Sequence, residues 1–311
     1  MPFAIGGNSR IRTNTPAENA YNALDISNRD ISLRQLRLST GKRINNAADD
    51  VAGYITSRAL QARNGSLKAA LNAVGDATNV TYIIMDSLEN INELLQKIKD
   101  AAGNAASGAT GTDEKIALAK AAFRMAQQIQ TVVDSTVFSG RQLIDGSFSA
   151  NFVIGSNAVN SLLTLSIDMT TTNTDDFNVS ENFDLNAMLQ GSFAGVAGLD
   201  MNEFDNVNQT DTGIFGNIKI EQTLLSLSKA IDNVNKVASY VGGITNRLVS
   251  QEDLLRNQIV NYNAAISRIE DADVAKEQLS LIKSQFLQQA SLISLAQANS
   301  NPQAFLQLIQ G

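Results

Sequence analysis

The stretch LKAALNAVGDATNVTYIIMDSLENINELLQKIKDAAGNA, residues 67–105, decides the fold class of this chain. Its apolar and small residues recur at alternating steps of three and four, and no alternation of period two appears. The ladder consists of Leu67, Ala70, Val74, Ala77, Thr81, Ile84, Leu88, Ile91, Leu95, Ile98, Ala102 and Ala105. Because a mean step of about 3.5 residues keeps one stripe facing a partner, the stretch predicts a coiled-coil helix.

Two further helices accompany this ladder. A second ladder extends from Ile220 to Ile269 and predicts a helix of about 75 Å, at a rise of about 1.5 Å per residue. A shorter amphipathic stretch runs from Asp113 to Val133, and the Gly- and Ser-containing link 103–112 separates it from the first ladder. A short link of this kind favours antiparallel packing, so the three helices can share one seam.

The periodicity changes after Phe138. The stretches FSGRQLIDG, NFVIG and LLTLSIDM, residues 138–146, 151–155 and 162–169, predict short strands. Residues 170–216 are rich in Thr, Asn, Asp and Gly and show neither period, so we expect a short variable surface excursion there. The predicted fold is mainly α, a long antiparallel coiled-coil helical bundle with a small β-hairpin region.

Composition excludes several classes of chemistry. The 311 residues include no Cys, no His and no Trp, so zinc sites and Ser-His-Asp or Cys-His catalytic groups cannot form. A formal net charge of -7 argues against nucleic acid and anionic lipid as partners. No stretch of about 18 apolar residues is present, and we expect no membrane insertion, no metal, no cofactor and no enzymatic activity.

Both ends of the chain predict amphipathic helices without enough partner surface of their own. Near the start, Leu24, Ile31 and Leu38 recur every seven residues. Near the end, one face of the predicted helix likewise carries Ala275, Leu279, Ile282, Phe286, Ile293 and Ala296. Isolated helices are marginal in water, so these segments must find partners elsewhere, including in other subunits.

Two motifs then resemble a known family. The run LSTGKRINNAADDVAGY, residues 38–54, resembles the N-terminal signature of bacterial flagellins. SRIEDADVAKEQ, residues 267–278, followed by FLQQA and LAQAN, resembles the C-terminal signature. The similar segments cover roughly the first 145 and the last 95 residues, and agreement at both ends makes a chance match improbable. The resemblance implies a minimal flagellin, because residues 170–216 are too few for large outer domains.

The resemblance also implies an organisation in layers. Residues 1–37 and 275–311 would form an inner coiled coil that lines the filament channel, and 67–169 with 217–266 the outer helical bundle. Residues 38–66 and 267–274 would be the connecting spokes. The expected inner assembly interface comprises Leu24, Ile31, Leu38, Leu281, Ile282, Phe286, Leu287, Ile293 and Leu295. The expected spoke residues are Arg43, Asn45, Asp49, Asp50, Arg268, Glu270, Asp271 and Asp273.

The carboxylates among the spoke residues allow a second interpretation. Asp49-Asp50 and Glu270-Asp271-Asp273 could form a hydrolase dyad or a hard-cation site, but no other catalytic group accompanies them. The favoured interpretation is ion pairing with Arg43 and Arg268. Exposed pairs contribute only about 0–1 kcal/mol each, so such pairs would set register more than supply stability.

The function implied by the resemblance is a structural subunit that self-assembles head to tail into the flagellar filament used for motility. Such a subunit is secreted, exported unfolded through the flagellar channel, and folds on assembly outside the cell or in the periplasm. Its implied partners are further copies of itself, the export chaperone and apparatus, and the hook-filament junction and cap proteins. The alternatives are a flagellin-like hook-filament junction protein and a discrete coiled-coil adaptor.

One segment resembles a face through which flagellins are sensed. SLENINELLQKIKDAAGN, residues 87–104, is similar to the stretch contacted by the vertebrate innate-immune flagellin receptor, with Lys97, Lys99 and Asp100 as candidate contacts. The family motif has arginine, glutamate and leucine where this chain has Lys97, Asp100 and Ala101. Since Lys lacks the bidentate fork of Arg and Ala removes a large apolar contact, we expect weakened recognition.

Overall fold

The computed structural model describes residues 13–156, 162–188, 191–216 and 219–310, and for 301–310 only the course of the backbone. The helices are α1 (Thr15–Thr40), α2 (Val51–Ala106), α3 (Thr112–Ser135), α4 (Thr174–Phe177), α5 (Ile220–Glu270) and α6 (Val274–Gln310). The strands are β1 (Val137–Phe138), β2 (Arg141–Gln142), β3 (Ser149–Ser156), β4 (Leu162–Asp168), β5 (Ser192–Phe193) and β6 (Val196–Ala197). The mainly α class with a small β-hairpin region is thereby confirmed.

The chain divides into two compact units, which are described separately. One contains residues 1–64 and 260–311, and the other contains 65–259. The connecting segments are shorter than the expected spokes 38–66 and 267–274, because helical structure covers most of those residues. Only 41–50 and 271–273 lie between helices there.

In the unit 65–259, the first ladder forms the buried side of α2. All of its residues, from Leu67 to Ala105, are buried, and Ile84, Ile91 and Leu95 are fully so. Asn92 of α2 donates to the Asn235 side chain of α5 over 2.8 Å, and the Thr245 hydroxyl lies 3.7 Å from Met85 Sδ. Since later residues of α2 meet earlier residues of α5, the two helices are antiparallel, as predicted.

The predicted strands pair as short antiparallel hairpins. β3 pairs with β4 from Ser149 opposite Asp168 to Ser156 opposite Leu162, with a bulge between Val153 and Gly155. β1 pairs with β2. A further hairpin, β5 with β6, lies within residues 170–216, where the sequence predicted no strand. The Gln251 side chain of α5 donates to the Ile154 carbonyl over 2.8 Å, which attaches the longest hairpin to the helix.

Residues 170–216 differ from the surface excursion expected from their sequence. Phe177, Phe183, Phe193, Phe204 and Phe215 are all buried. The Phe177 ring meets the Phe183 and Tyr240 rings edge-on, at centroid distances of 5.6 and 5.3 Å. Four of these aromatic side chains are carried into a packed core by short elements, namely α4, β5 and the 3-10 turns Met201–Phe204 and Gly213–Phe215.

In the unit 1–64 and 260–311, the first and last long helices lie side by side. Asn14 donates to the Ala298 carbonyl over 2.9 Å, and Gln288 donates to the Asn28 side chain over 2.6 Å. Asn14 precedes α1 while Ala298 lies far along α6, so α1 and α6 are antiparallel. No helix in the described part of the chain carries an apolar stretch long enough to cross a membrane.

Candidate assembly interface

Local signals in the sequence determine where α1 begins and ends. The Asn14 side chain accepts a hydrogen bond from the Ala17 N–H over 3.2 Å, and Pro16 lies in the first turn. Asn is a favoured N-cap, and Pro is tolerated there because first-turn N–H groups need no helical partner. Gly41 ends the helix in the left-handed conformation, with φ of +70°. The seven-residue spacing of Leu24, Ile31 and Leu38 therefore lies within one uninterrupted helix.

The face of α6 that packs against α1 is not its most apolar face. Leu281, Ser284 and Ala298 are buried, and Leu295 is half-buried. On α1, Leu24, Ile31 and Leu38 are also half-buried, in line with an interface role for both sets.

A second face of α6 is apolar and exposed. Leu279, Phe286 and Ile293 follow one another at steps of seven residues, and each side chain is 72% exposed. Ile282, one turn from Leu279, is 55% exposed. We call these four residues the outer stripe. Leu287 and Leu292 are exposed as well, and so many uncovered large apolar side chains on one helix mark an interaction site.

A polar cluster surrounds the loops 41–50 and 271–273, and we call it the junction. Lys42 and Asp271 form an isolated antiparallel bridge, and the Arg43 N–H donates to the Glu270 carbonyl over 2.6 Å. Arg43 Nη2 also donates to the Ile269 carbonyl over 2.6 Å and lies 3.7 Å from Asp50 Oδ2. These bonds join the segment after α1 to the segment after α5.

Glu270 and Glu277 are the buried acids of the junction. Glu270 accepts from Lys42 Nζ over 2.7 Å and from the Gln61 side chain on α2. Glu277, in the first turn of α6, lies 2.8 Å from Arg34 and 3.5 Å from Arg37. Because each carboxylate accepts from two side chains of other segments, losing one would release more than one contact.

Asp49 organises its own loop. Its Oδ2 accepts the N–H groups of Asn45 and Asn46, both over 3.0 Å, and its Oδ1 lies 3.9 Å from Arg37 Nη2. The backbone hydrogen bonds from Asn46 and Asn45, aided by the Arg37 charge, lower the pKa of Asp49 below its ordinary value of 3.8. Asn45 also donates from its side chain to the Lys42 carbonyl over 3.1 Å. The loop is therefore closed by bonds to an ionised carboxylate.

Asp50 and Asp273 accept hydrogen bonds from backbone N–H groups in the first turns of helices. Asp50 Oδ1 accepts from the Gly53 N–H over 2.9 Å, at the start of α2. Asp273 Oδ1 accepts from the Ala275 and Lys276 N–H groups over 3.0 and 3.2 Å, at the start of α6. An acceptor at this position satisfies N–H groups that lack helical partners, so both acids have a structural use.

The expected pairing of Arg268 with these acids is wrong. Arg268 is exposed in the last turn of α5, and it forms no ion pair within the described residues. Arg34, Arg37 and Lys42 bind the junction carboxylates together with Arg43. A cation in the last turn of a helix is favourable without a carboxylate partner, which accounts for its position.

The catalytic or metal-binding interpretation of the carboxylates gains no support from the geometry. Asp49 and Asp50 accept hydrogen bonds from backbone N–H groups. Glu270 and Glu277 form ion pairs with the side chains of Lys42 and Arg34. In the ranges that the structure describes, no group of three or more acidic side chains is placed to hold a metal ion.

The candidate receptor contacts lie on α2 in the other unit. Lys97 and Asp100 are exposed, and Lys97 lies 3.9 Å from Glu93. Lys99 is half-buried, whereas Ala101 is buried against the core with 8% exposure. A larger residue at position 101 would therefore meet the core, and the lost receptor contact expected from Ala101 does not follow from this structure.

Comparison with known proteins agrees with this architecture at both ends of the chain. The family model of the bacterial flagellin N-terminal helical region matches residues 11–149, and that of the C-terminal helical region matches residues 224–309. The chain belongs to the bacterial flagellin family. This flagellin is accordingly a structural subunit of the flagellar filament, a self-assembling polymer outside the cell.

Relatives of similar length support this assignment. The flagellin of Bacillus subtilis (strain 168) is 29% identical over 319 residues, covering 97% of this chain and 100% of the relative. The flagellin of Halalkalibacterium halodurans is 27% identical over 301 residues, covering 96% and 99%. Since these relatives are covered almost completely, the similarity extends over nearly the whole length of both chains.

A solved structure supports the fold. A putative flagellar hook-associated protein from Vibrio parahaemolyticus superposes with a TM-score of 0.55 over 72% of this chain and 100% of that chain. Its sequence identity is 13%, so the similarity concerns the fold alone.

Proposed function

We propose that this flagellin builds the filament by burying the outer stripe of α6 against neighbouring copies. The observation that carries the proposal is the exposure of Leu279, Phe286 and Ile293, each at 72% although α6 already pairs with α1. Burial of apolar area contributes about 25 cal/mol per Å², so several large side chains supply a substantial driving force. The inner assembly interface then contains two parts with different roles.

The first part is intramolecular. Leu24, Ile31, Leu38, Leu281 and Leu295 are buried or half-buried within the chain. In our proposal they hold α1 and α6 together as one two-helix element. The second part comprises Ile282, Phe286, Leu287 and Ile293, which remain exposed and are available to other subunits.

The proposed assembly is an open polymer. The outer stripe on one copy meets a different surface of the next, and a heterologous contact whose rotation does not close generates a helix. The junction contributes by holding the direction of α1 and α6 through Glu270, Glu277 and Asp49, so that every copy presents its stripe alike. Residues 1–12 of the expected inner layer lie outside the described residues.

Export in an unfolded state belongs to the same proposal. The chain has no cysteine, and most of its structure is helical with local contacts, which form rapidly after threading through a narrow channel. Before assembly, the terminal helices would be disordered and the apolar residues of α6 would bind the export chaperone in a helix-in-groove mode. At the two ends of the filament, the same helices would meet the hook-filament junction and cap proteins.

The decisive test introduces charge into the outer stripe. Phe286→Asp with Ile293→Asp leaves the exposed surface soluble but makes burial between copies unfavourable. We expect this variant to remain monomeric by sedimentation and to form no filaments by electron microscopy after seeding. Gln128→Asp with Asn257→Asp, at two exposed polar positions in the other unit, adds the same charge and should polymerise normally.

Further outcomes discriminate among functions. Normal polymerisation of the Phe286→Asp, Ile293→Asp variant would contradict the proposed role of the outer stripe. Small closed oligomers of the unaltered chain would favour a coiled-coil adaptor, and immunogold labelling confined to the hook end would favour a junction protein. Labelling of intact cells along the whole filament is expected, whereas labelling only after removal of an outer membrane would indicate a periplasmic filament.

A further inference from the structure

We propose that Asn64 and Asn263 select the register in which α2 pairs with α5. Asn64 is 6% exposed and donates from Nδ2 to Asn263 Oδ1 over 2.6 Å. Asn64 Oδ1 is also buried and accepts no hydrogen bond within the part of the chain that the structure describes. Burying an amide whose oxygen accepts no hydrogen bond costs desolvation free energy, so the pair adds little net stability. We therefore look for its role in the specificity of helix pairing.

The apolar ladders of α2 and α5 do not by themselves determine the register in which the two helices pair. Each ladder repeats with a step of about 3.5 residues, so sliding one helix by one heptad again places apolar side chains opposite each other. The Asn64–Asn263 pair removes this degeneracy, because a slide of one heptad would place Asn64 opposite Arg256 or Glu270 and Asn263 opposite Ser57 or Leu71, and the bond between the two amides would be lost.

The apolar seam is also weakest where this pair lies. Along α5, Ile259, Tyr262, Ile266 and Ile269 are only half-buried, whereas Leu248 and Leu255 are buried. The buried positions of α2 step by three residues from Asn64 to Leu67 and again to Ala70, so the alternation of three and four is interrupted here. Apolar packing thus discriminates poorly between registers in this segment.

The register has a consequence at the junction. Gln61, one turn before Asn64, donates to Glu270, and Lys42 binds the same carboxylate. If α2 slid along α5 by one heptad, the Gln61 side chain would lie about 10 Å from its acceptor, at about 1.5 Å per residue. The Asn64–Asn263 bond therefore also places the partners of Glu270.

The absence of cysteine from the sequence makes register directly measurable. The Arg63 guanidinium lies 5.7 Å from the centre of the Tyr262 ring, so Arg63→Cys with Tyr262→Cys reports the native register. Arg63→Cys with Ile269→Cys, one heptad further along α5, reports a shifted one. The measured quantity is the ratio of the two cross-link yields under a short bifunctional thiol reagent, in the full-length chain.

The test variant is Asn64→Leu with Asn263→Leu, which removes both amides. Loss of one part-buried hydrogen bond of about 1–1.5 kcal/mol should lower the native-to-shifted ratio by about tenfold. The matched control is Asn92→Leu with Asn235→Leu, since these side chains form the same kind of bond between the same helices over 2.8 Å, at a site exposed to solvent. This control should leave the ratio unchanged.

A second variant keeps the proposal testable if the double variant fails to fold. Asn263 is exposed, and Asn263→Ala removes only the acceptor from buried Asn64 while keeping good helix propensity. It should also lower the ratio. A ratio equal to that of the unaltered chain in either folded variant would overturn the proposal.

Discussion

The guanidinium of Arg34 on α1 lies 2.8 Å from the carboxylate of Glu277 at the start of α6. Arg37, one turn further along α1, reaches the other oxygen of the same carboxylate over 3.5 Å. Glu277 is buried, so these charged hydrogen bonds act in a region of reduced screening. One acid thus connects two turns of the first helix to the first turn of the last.

Replacing Glu277 should weaken the pairing of α1 and α6. In Glu277→Ala, two partly buried guanidinium groups lose their acceptor, which should lower the free energy of unfolding by about 1–3 kcal/mol. Urea unfolding of assembled filaments, in which α1 and α6 are ordered, measures the change when it is followed by circular dichroism. Asp25→Ala is the control, since its ion pair with Arg29 is exposed and should contribute about 0–1 kcal/mol. Equal effects of the two substitutions would contradict the assigned role.

Asp49 should make the junction sensitive to acid. Its folded-state pKa lies below the ordinary value of 3.8, so the folded chain binds fewer protons than the unfolded chain. The stabilisation is complete above pH 3.8 and is lost as the pH falls through the folded-state pKa. Asp49→Asn keeps an acceptor and removes the charge. The stability difference from the unaltered chain should be largest at neutral pH and should shrink in acid; a difference independent of pH would refute the prediction.

Asp184 should show the opposite dependence. Burial raises its pKa above the ordinary value of 3.8, and the nearby Asp145 charge acts in the same direction. The folded chain therefore retains this proton to higher pH, and stability falls as the pH rises through the folded-state pKa. Asp184→Asn retains an acceptor for the Asn186 N–H, 2.8 Å away. We expect the substitution to raise the urea midpoint at pH 7 and not in acid; a stabilisation that persists unchanged in acid would indicate another cause.

Phe177 tests whether residues 170–216 contribute to the core. It is 1% exposed and packs edge-on against Phe183 and Tyr240. Phe177→Ala should cost about 3–5 kcal/mol, because it removes a large buried side chain and leaves a cavity. The neighbouring exposed residue gives a control, Asp176→Ala, with an expected change within about 0.5 kcal/mol. If both variants unfold at the same urea concentration, the segment does not stabilise the unit.

The sequence predicted the ladder of α2 correctly because burial on a long helix follows a period that is visible in one dimension. Ile84, Leu88 and Ile91 were predicted from their heptad spacing, and the same spacing places all three on the buried side of the helix. Residues 170–216 gave no such signal, since Phe177, Phe193 and Phe215 enter the core from a one-turn helix, a two-residue strand and a 3-10 turn with irregular spacing. Scattered aromatic residues in a polar segment were the only available clue.

The sequence predicted that acidic and basic residues would meet at the junction, but it identified only some of the residues and few of their partners. Asp49, Asp50 and Glu270 are at the junction as expected, but their partners depend on which helices meet there. Glu277 and Lys42 were missed because nothing in their local sequence distinguishes them from solvated charges. On α6, the heptad pattern correctly indicated an apolar face, yet that face is the outer stripe, while Glu277, Leu281 and Ser284 lie on the side against α1.

The contact between Asn14 and Ala298 constrains the order of events as the protein is made. The two residues are separated by 284 positions, so α1 cannot pack against α6 until the ribosome has synthesised the chain as far as α6. Closing so long a loop is slow compared with forming helices within the chain, so α1 stays unpaired longest. A nascent molecule therefore keeps its first helix without its partner helix during most of its synthesis.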